Sequence, residues 1–324
     1  MASKPTVFID GEAGTTGLQI YTRLNQRDDI ELVSIALDKR KDAAERSRLI
    51  NSVDLAILCL PDAASREAVS FVEPDSKVKI LDASTAYRTA LDWVYGFAEL
   101  NPGQREKVAS ARFVSNPGCY PTGFLACIRP LIAKEILPTS FVVTINAISG
   151  YSGGGKKLIE QYQTFHDQQS EPTSSHPYGI YGLGFGHKHV KEMHQHSGLD
   201  HPPVFVPAVG DFEQGMVVQI PLPLWTLDNP PTGEEIYGAI AAYYSTEKFV
   251  QVAPYEDASL LRNSTFLDAM TLNETNIVEV SVFANDDTQE ALLVARLDNL
   301  GKGASGAAVQ NMNLMLGLPE ELGL

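Results

Sequence analysis

Cysteine is scarce in this chain, with three residues among 324. An odd and sparse set provides no disulfide framework, and it fits a reducing compartment. No apolar run is long enough to span a membrane. Residues 1–5 lack the apolar centre of a secretory signal peptide. We therefore expect a cytoplasmic protein that does not bind to membranes.

Basic residues are outnumbered, since 25 Lys and Arg stand against 40 Asp and Glu, for a formal net charge of −15. That balance disfavours nucleic acid as the main partner. An anionic small substrate remains compatible, because it needs only a local basic pocket. The hydrophobic share of 44% is ordinary for a soluble globular protein, and the length predicts two domains.

The most informative stretch is SNPGCYPTG, residues 115–123, between an apolar run and a helical pattern. Pro117 and Gly118 predict a sharp turn, so Cys119 falls at or near the first turn of the next helix. The N–H groups and positive dipole end of a helix start lower a thiol pKa and can hold an oxyanion. The pattern favours Cys119 as a nucleophile. The alternative is a small buried residue at a turn.

Three glycines near the amino terminus indicate a dinucleotide site. A short β-rich run, residues 6–9, precedes a turn with Gly11, Gly14 and Gly17, and a helical pattern follows. In that context glycines permit a tight turn, close approach of a pyrophosphate and close helix packing. The spacing is G-x-x-G-x-x-G instead of the usual G-x-G-x-x-G, so a plain turn is the alternative. The predicted cofactor contacts here are Gly11, Ala13, Gly14, Thr15, Thr16 and Gly17.

Asp38, Lys39 and Arg40 follow a second predicted strand, residues 31–37. An acidic residue about twenty positions after the glycines holds a ribose 2′-hydroxyl. The two cations that follow it suit a 2′-phosphate, so the sequence favours NADP over NAD. The alternative is a solvated loop at residues 39–41.

Further buried strands are predicted at 54–60, 78–81 and 112–114. Ligands bind where such strands end. Pro61 opens a predicted loop over the cofactor, and Ser84 lies in the next loop. Arg88 is the cation we assign to a substrate phosphate or carboxylate, with an ordinary surface arginine as the alternative, while Cys59 is predicted in the core. The alternation of strands and helices argues for a doubly wound parallel sheet.

After the helix of Cys119, a long strand is predicted at 141–148 and is followed by SGYSGGGKK, residues 149–157. So many glycines predict a loop instead of a core element. The loop can close on a ligand, with Lys156 and Lys157 attracting an anion. A solvated loop is the alternative.

Histidines are concentrated in the middle of the chain. In an extended segment the side chains of His187 and His189 point the same way. If the chain then turns helical, Glu192 lies one turn beyond His189 and can orient its ring. Three interpretations stay open: an acid/base partner for Cys119, surface histidines, or a zinc site with His194 and His196, for which no ligand spacing speaks. We assign no metal.

The carboxyl-terminal third predicts a second sheet and a last helix. Two strands, 277–284 and 291–298, flank a polar turn and suggest a mostly antiparallel sheet. The helix 303–317 contains Gln310 and Asn311 among small and apolar residues. These two amides either contact a polar ligand or lie on the solvent-exposed face of the helix.

Together these segments resemble the N-acetyl-γ-glutamyl-phosphate reductase family in its shorter form, over most of the chain. The catalytic signature SNPGCYPT at 115–122 is highly specific. Similar further motifs are LDASTAYR at 81–88, YG at 95–96, ELN at 99–101, SG at 149–150 and 152–153, HKH at 187–189, and the tail 297–313. Glu12 and Ala13 replace commoner small residues, and Lys191 stands where the longer form usually has Pro.

The resemblance implies an α/β protein with two domains. Residues 1–118 plus 299–324 would form a Rossmann-type, doubly wound NADP-binding domain. Residues 119–298 would form an inserted α+β catalytic and dimerisation domain, through which a homodimer or homotetramer assembles. By similarity, Gln310 approaches the nicotinamide amide. By the same similarity His189 is the acid/base, with His187 as the alternative.

The implied reaction is the NADPH-dependent reduction of N-acetyl-γ-glutamyl phosphate to N-acetylglutamate 5-semialdehyde and phosphate, in arginine biosynthesis. Cys119 forms a thioester while phosphate leaves towards Arg88. The implied substrate contacts are Arg88, Asn116, Ser149 and Gly150. Three alternatives stay open: an aspartate-semialdehyde dehydrogenase, a cysteine hydrolase, which has no use for the glycine turn, and a catalytically silent NADP-binding sensor.

Overall fold

The computed structural model describes residues 4–167 and 177–324. The strands of the described residues are β1 (Thr6–Asp10), β2 (Glu31–Val33), β3 (Leu55–Leu58), β4 (Lys79–Asp82), β5 (Val94–Tyr95), β6 (Phe113–Ser115), β7 (Thr144–Gly150), β8 (Tyr178–Ile180), β9 (Val204–Gly210), β10 (Met216–Pro223), β11 (Val250–Val252), β12 (Val278–Asn285) and β13 (Glu290–Leu297). Their helices are α1 (Thr15–Leu24), α2 (Ala43–Ser52), α3 (Asp62–Ser70), α4 (Gln104–Ser110), α5 (Cys119–Ala133), α6 (Lys156–Asp167), α7 (His189–Ser197), α8 (Gly233–Tyr243) and α9 (Gly306–Leu316).

The chain divides into two compact units. Unit 1 comprises Met1–Gly118 and Ala304–Leu324, and unit 2 comprises Cys119–Gly303. Among the helices of the described residues, none is long and apolar enough to cross a membrane. Each unit is built on one sheet.

The sheet of unit 1 has the strand order β2-β1-β3-β4-β6-β5, and every neighbouring pair is parallel. From β1 the chain first moves outward to β2 and then returns to the other side of β1 at β3. The topological switch point therefore lies between β1 and β3. In such sheets a ligand binds at the carboxyl ends of the strands beside this point. The doubly wound fold predicted from the sequence is confirmed.

Helices cover both faces of this sheet because successive strand residues point to opposite sides. Val7 and Ile9 pack in one apolar cluster with Ile20 of α1. Phe8, between them in the strand, packs in another cluster with Ile50 of α2. All five side chains are at most 1% exposed, and burying a side chain of this size contributes about 1.5–3 kcal/mol.

Two local predictions in unit 1 were wrong. The predicted strand at 31–37 is short, because β2 ends at Val33 and Leu37–Lys39 form a 3₁₀ turn. Within the described residues β2 is an edge strand that pairs with β1 alone, and Leu37 is 76% exposed. The predicted loop after Pro61 is the first turn of α3. A proline at a helix start costs no intrahelical hydrogen bond. Pro61 was therefore compatible with a loop and with the start of a helix.

The sheet of unit 2 is mixed, with the order β11-β12-β13-β10-β7-β9-β8. Four of its pairings are antiparallel, and β7–β9 and β11–β12 are parallel. The antiparallel majority agrees with the prediction. Gly123 of α5 brings this helix close to the sheet, since a Cβ there would lie 2.8 Å from Cγ2 of Val218.

The glycine-rich segment 149–157 is not the loop that the sequence predicted. Ser149 and Gly150 end strand β7, a 3₁₀ turn follows at Tyr151–Gly154, and α6 begins at Lys156. A Cβ on Gly150 would lie 2.5 Å from the Glu213 carbonyl oxygen. This glycine thus permits close backbone packing, which composition alone does not distinguish from mobility.

Candidate active site

Cys119 is the first residue of α5, as predicted, and follows β6 after a three-residue turn. Its side chain is half-buried, whereas Cys127 on the same helix is buried. Burial raises the pKa of the Cys127 thiol and raises that of Cys59 to about 12. Cys119 therefore combines a helix start with partial exposure, the setting of a reactive thiol.

Two histidines pack around the residue next to Cys119. The ring centroid of Tyr120 lies 6.1 Å from that of His187 and 5.9 Å from that of His189. The two imidazole centroids are 4.8 Å apart. His189 is 8% exposed, so the surface interpretation is wrong for it. Among the described residues, no group of three or more His, Cys, Asp and Glu side chains is arranged to hold a metal ion.

The hydrogen bonding of His187 defines its tautomer. The backbone N–H of His189 donates to Nδ1 of His187 at 3.3 Å, so neutral His187 carries its proton on Nε2. Burial lowers the pKa of His187, the Lys188 charge adds to that effect, and Glu192 opposes it. His187 is therefore neutral near neutral pH and able to exchange a proton.

Glu192 lies three positions beyond His189 on α7 and is 2% exposed. Residues three apart are neighbours on one helix face. The helical turn that the sequence required for this arrangement is therefore present. Lys191 is exposed, and as a helical residue it leaves the spacing between His189 and Glu192 intact.

Two tyrosine hydroxyls beside this cluster were missed by the sequence analysis. The Tyr120 hydroxyl donates to the Ala208 carbonyl oxygen at 3.0 Å, and the Tyr181 hydroxyl donates to Tyr120 at 3.3 Å. Burial raises the pKa of Tyr181 to about 12, and the Cys119 charge adds to that effect. Both hydroxyls remain protonated near neutral pH. No spacing marks Tyr181, and only its adjacency to Cys119 marks Tyr120.

Ser149 and Gly150 lie at the end of β7, and the Ser149 side chain lies beside the Tyr120 hydroxyl. The Ser149 hydroxyl donates to the Gly150 carbonyl oxygen at 3.0 Å, and the Gly150 N–H donates to the Gly215 carbonyl oxygen at 2.9 Å. Ser149 therefore joins the group around Cys119. The Gly150 N–H is already engaged within unit 2.

The glycine turn of unit 1 has the backbone that a pyrophosphate requires. Gly11 has φ +93°, and a Cβ there would overlap the Cys59 carbonyl oxygen. A Cβ on Gly17 would overlap the Gly11 carbonyl oxygen. Gly14 stands at the amino end of α1 with no side-chain cap, and Thr15 begins the helix. This cradle beside the switch point fits the phosphates of a dinucleotide.

Arg40 is bound to the same turn. Its Nη2 lies 2.6 Å from Oε1 of Glu12, and its Nε has no hydrogen-bond partner among the described residues. Asp38 and Lys39 are exposed on the 3₁₀ turn, whereas Arg40 is half-buried; contact of these three residues with a cofactor stays a prediction. A guanidinium with a spare donor at this edge fits a 2′-phosphate.

Arg88 is buried, at 8% exposure, so the surface interpretation is wrong for it. Its Nη2 donates to the Ala83 carbonyl oxygen at 3.1 Å. Burial raises the pKa of Asp82, while hydrogen bonds from Ser65 and Ser84 and the Arg88 charge lower it. Pro61, directly before α3, lies at the same edge of the sheet as Ser84.

Gln310 and Asn116 have partners within unit 1. Nε2 of Gln310 donates to the carboxylates of Glu99 at 2.8 Å and Glu320 at 2.7 Å. Nδ2 of Asn116 donates to the Ala304 carbonyl oxygen at 3.0 Å. Gln310 and Asn311 are at most 2% exposed, so the interpretation that they lie on a solvent-exposed face of the helix is wrong.

Two family models match the chain. Residues 41–108 match the model described as semialdehyde dehydrogenase, NAD binding domain. Residues 119–299 match the one described as semialdehyde dehydrogenase, dimerisation domain. The second match covers more than half of the chain.

Curated relatives are similar over nearly the whole length. N-acetyl-gamma-glutamyl-phosphate reductase 2 of Nostoc sp. is 77% identical over 99% of this chain and 100% of its own. N-acetyl-gamma-glutamyl-phosphate reductase of Trichormus variabilis is 78% identical with the same coverage. The enzyme of that name from Rhizobium etli is 51% identical over 96% of this chain and 99% of its own.

Solved structures of low identity share the fold. Aspartate semialdehyde dehydrogenase II of Vibrio cholerae, complexed with ASA, has a TM-score of 0.71 at 13% identity and covers 98% of this chain and 99% of its own. Aspartate semialdehyde dehydrogenase with NADP from Candida albicans has a TM-score of 0.63 at 13% identity. The match covers 97% of this chain and 99% of that chain. Identity this low carries the fold alone.

Proposed function

Because this chain belongs to the N-acetyl-γ-glutamyl-phosphate reductase family, we propose that it reduces N-acetyl-γ-glutamyl phosphate to N-acetylglutamate 5-semialdehyde and phosphate, in arginine biosynthesis in the cytoplasm. The electron donor is NADPH. The observation that carries the proposal is Cys119 at the start of α5, with the adjacent Tyr120 packed against His187 and His189.

Unit 1 is the proposed cofactor domain. When bound, NADPH supplies a hydride. Gly11, Gly14 and Gly17 would hold its pyrophosphate against the start of α1, and Arg40 would bind the 2′-phosphate. The Nε donor of Arg40, which has no hydrogen-bond partner in the part of the chain that the structure describes, supports that role, since a charge-assisted hydrogen bond to phosphate is stronger than a neutral one.

Thioester formation is the first proposed step. The Cys119 thiolate attacks the acyl carbon, a carbon–sulfur bond forms, and the bond to the phosphate oxygen breaks. N–H groups at the start of α5 stabilise the oxyanion. The proposed role of the Arg88 guanidinium is to bind the departing phosphate, which needs a cation in an acidic protein. Covalent catalysis divides one difficult reduction into two easier steps.

A histidine carries the proton between the two steps. The thiol loses a proton when the thioester forms and regains one when the semialdehyde leaves, so one imidazole that alternates between neutral and charged serves both. We assign this role to His189, with His187 as the second candidate. The proposed role of Glu192 is to orient the His189 ring from one turn along α7.

The test is phosphate-dependent NADP⁺ reduction, with N-acetylglutamate semialdehyde and aspartate semialdehyde offered separately to the wild type and to Cys119→Ser. We expect strong preference for the acetylated substrate and loss of activity in the variant. Cys127→Ala is the control, because that thiol is buried in the core and its loss should leave the reaction intact. Full activity of Cys119→Ser would refute the thioester.

The second candidate function is that of an aspartate-semialdehyde dehydrogenase, an activity that the shared fold is compatible with but does not favour. In the same assay it predicts that aspartate semialdehyde is the better substrate. A third outcome, NADPH binding with neither substrate turned over, supports the silent NADP-binding sensor.

The proposed assembly is a homodimer or homotetramer formed through unit 2. The match of residues 119–299 to a dimerisation-domain model supports it. Light scattering on the eluting protein measures the mass directly. A mass near one chain, 35.3 kDa, would contradict the proposal.

A further inference from the structure

Asn311 on α9 is an amide buried in unit 1, at 1% exposure. Its Nδ2 donates to the Gly96 carbonyl oxygen at 2.8 Å and to Oδ1 of Asn116 at 3.0 Å. Since a carbonyl oxygen only accepts, the contact with Gly96 identifies which end of the amide is the nitrogen. The direction of both hydrogen bonds is therefore defined.

Asn116 continues this chain of hydrogen bonds. Its own Nδ2 donates to the Ala304 carbonyl oxygen at 3.0 Å, which leaves Oδ1 to accept from Asn311. Its backbone N–H donates to the Asp82 carbonyl oxygen at 2.7 Å. Asn116 is thus held at three points, and only Pro117 and Gly118 separate it from Cys119.

Unit 1 keeps this amide at a cost. Oδ1 of Asn311 is buried with no hydrogen-bond partner among the described residues, and an unsatisfied buried acceptor destabilises a fold. Position 96 is restricted as well, because a Cβ there would lie 2.5 Å from Nδ2 of Asn311. Packing alone favours an apolar side chain at position 311, so the amide calls for a functional explanation.

We propose that Asn311 is a positioning residue for the catalytic thiol and acts through Asn116. The inference rests on the proposed function, in which Cys119 is the nucleophile. Because its hydrogen bonds fix Asn116, the backbone that enters the Pro117–Gly118 turn before Cys119 is fixed as well. The thiolate then stays at the start of α5, where the helix dipole stabilises it, and in line with the acyl carbon. A displacement of about 1 Å from attack geometry costs on the order of a hundredfold in rate.

Two substitutions of Asn311 test this role. Asn311→Asp keeps the size of the side chain and replaces both N–H donors with acceptors. Asn311→Ala removes the amide altogether. The matched control is Asn313→Ala on the same helix, an amide that is also fully buried and whose partners are Arg27, Glu320 and Leu322. The control loses comparable buried hydrogen bonds without touching Asn116.

The decisive measurement is the rate at which iodoacetamide alkylates Cys119, followed across pH by mass spectrometry of its peptide. We expect both Asn311 variants to react about tenfold more slowly at neutral pH, with the pH midpoint shifted upward, because a displaced thiolate loses the helix dipole. Turnover should fall on the order of a hundredfold, while NADPH affinity by fluorescence stays unchanged. Asn313→Ala should lower the melting temperature and leave the alkylation profile unchanged.

An alkylation profile of Asn311→Asp that equals the wild-type profile would overturn the positioning role. If Asn311→Ala does not fold, the result for Asn311→Asp alone tests the proposal. An equal shift in Asn313→Ala would also overturn it, because general loosening of α9 would then explain both. Failure of the proposed function is separable. It would be seen as full activity of Cys119→Ser, whereas alkylation reports the state of the Cys119 thiol without any substrate.

Discussion

The backbone of Gly303 packs directly against Cys119: a Cβ at position 303 would lie 2.8 Å from Cβ of Cys119 and 3.3 Å from its Cα. Gly303 belongs to a π-helical turn, Gly301–Ser305, and its N–H donates to the Asp298 carbonyl oxygen at 2.9 Å. π-Turns are rare and frequently occur at functional sites. The nearest of these atoms belongs to the residue proposed as the nucleophile, so a side chain at position 303 would press against Cys119.

We predict that Gly303→Ala slows turnover on the order of tenfold to a hundredfold, because the added methyl group must displace Cys119. The measurement is kcat for phosphate-dependent NADP⁺ reduction, together with Cys119 alkylation. Gly238→Ala is the control, since a Cβ there meets no atom of the described residues within 4 Å. In the middle of α8 it should stabilise the protein by up to about 1 kcal/mol and leave kcat unchanged. Unchanged kcat in Gly303→Ala would show that the contact relaxes without consequence.

Replacing Arg40 should reduce the preference for NADPH over NADH. Arg40→Leu removes the guanidinium that Glu12 holds beside the glycine turn, and we expect the preference to fall on the order of 10- to 100-fold, the loss of one charged hydrogen bond. The measurement is kcat/KM with each cofactor. Arg40→Lys should retain more of the NADPH preference than Arg40→Leu, because lysine keeps the positive charge but lacks the planar, bidentate donors of a guanidinium. An unchanged ratio would assign the 2′-phosphate to other residues.

His187 should make stability depend on pH below neutrality. Its folded-state pKa is lowered from the ordinary 6.5, so the unfolded chain binds a proton in a window where the folded chain does not. Stability from this group therefore falls as pH drops below 6.5 towards the folded pKa. Urea unfolding of His187→Gln between pH 7 and pH 5 should show a shallower decline than the wild type. Equal slopes would contradict the lowered pKa.

The sequence predicted those features that local pattern encodes. Buried apolar runs identified the parallel strands, and Pro117 with Gly118 placed Cys119 at a helix start. Composition misled where one residue type serves two purposes. Gly150 permits close packing and was predicted as part of a loop, while Pro61 precedes a helix that was also predicted as a loop.

Contacts between distant residues could not be predicted. Asn311 and Asn116 are 195 positions apart, and nothing in the spacing of either indicates the other. The same holds for Arg40 and Glu12. Sequence reasoning identified Arg40 by its charge and Asn116 by its motif, but their partners emerge only when the sheet brings separate segments together. The chemical roles of Cys119, His189 and Arg88 stay predictions.

The buried ion pair between Arg46 of α2 and Asp10 should contribute far more to the free energy of unfolding than the exposed pair of Arg48 on the same helix. Nε and Nη2 of Arg46 donate to the Asp10 carboxylate at 3.0 and 2.9 Å, and both side chains are under 10% exposed. Arg46→Leu leaves Asp10 buried without its cation, which costs about 3–5 kcal/mol in such pairs. Arg48→Leu, which breaks an exposed pair with Glu45, should change stability little.

The pH dependence of that loss separates charge from packing. Burial already raises the pKa of Asp10, and the Arg46 hydrogen bond lowers it. Without Arg46 the folded-state pKa rises further, so the folded chain retains a proton that the unfolded chain releases, and the loss grows as pH rises. Urea unfolding at pH 5 and pH 8 should show a smaller effect of Arg46→Leu at pH 5. A loss equal at both values would mean that the arginine contributes through its packing against Phe71, 5.3 Å from the ring centroid, instead of its charge.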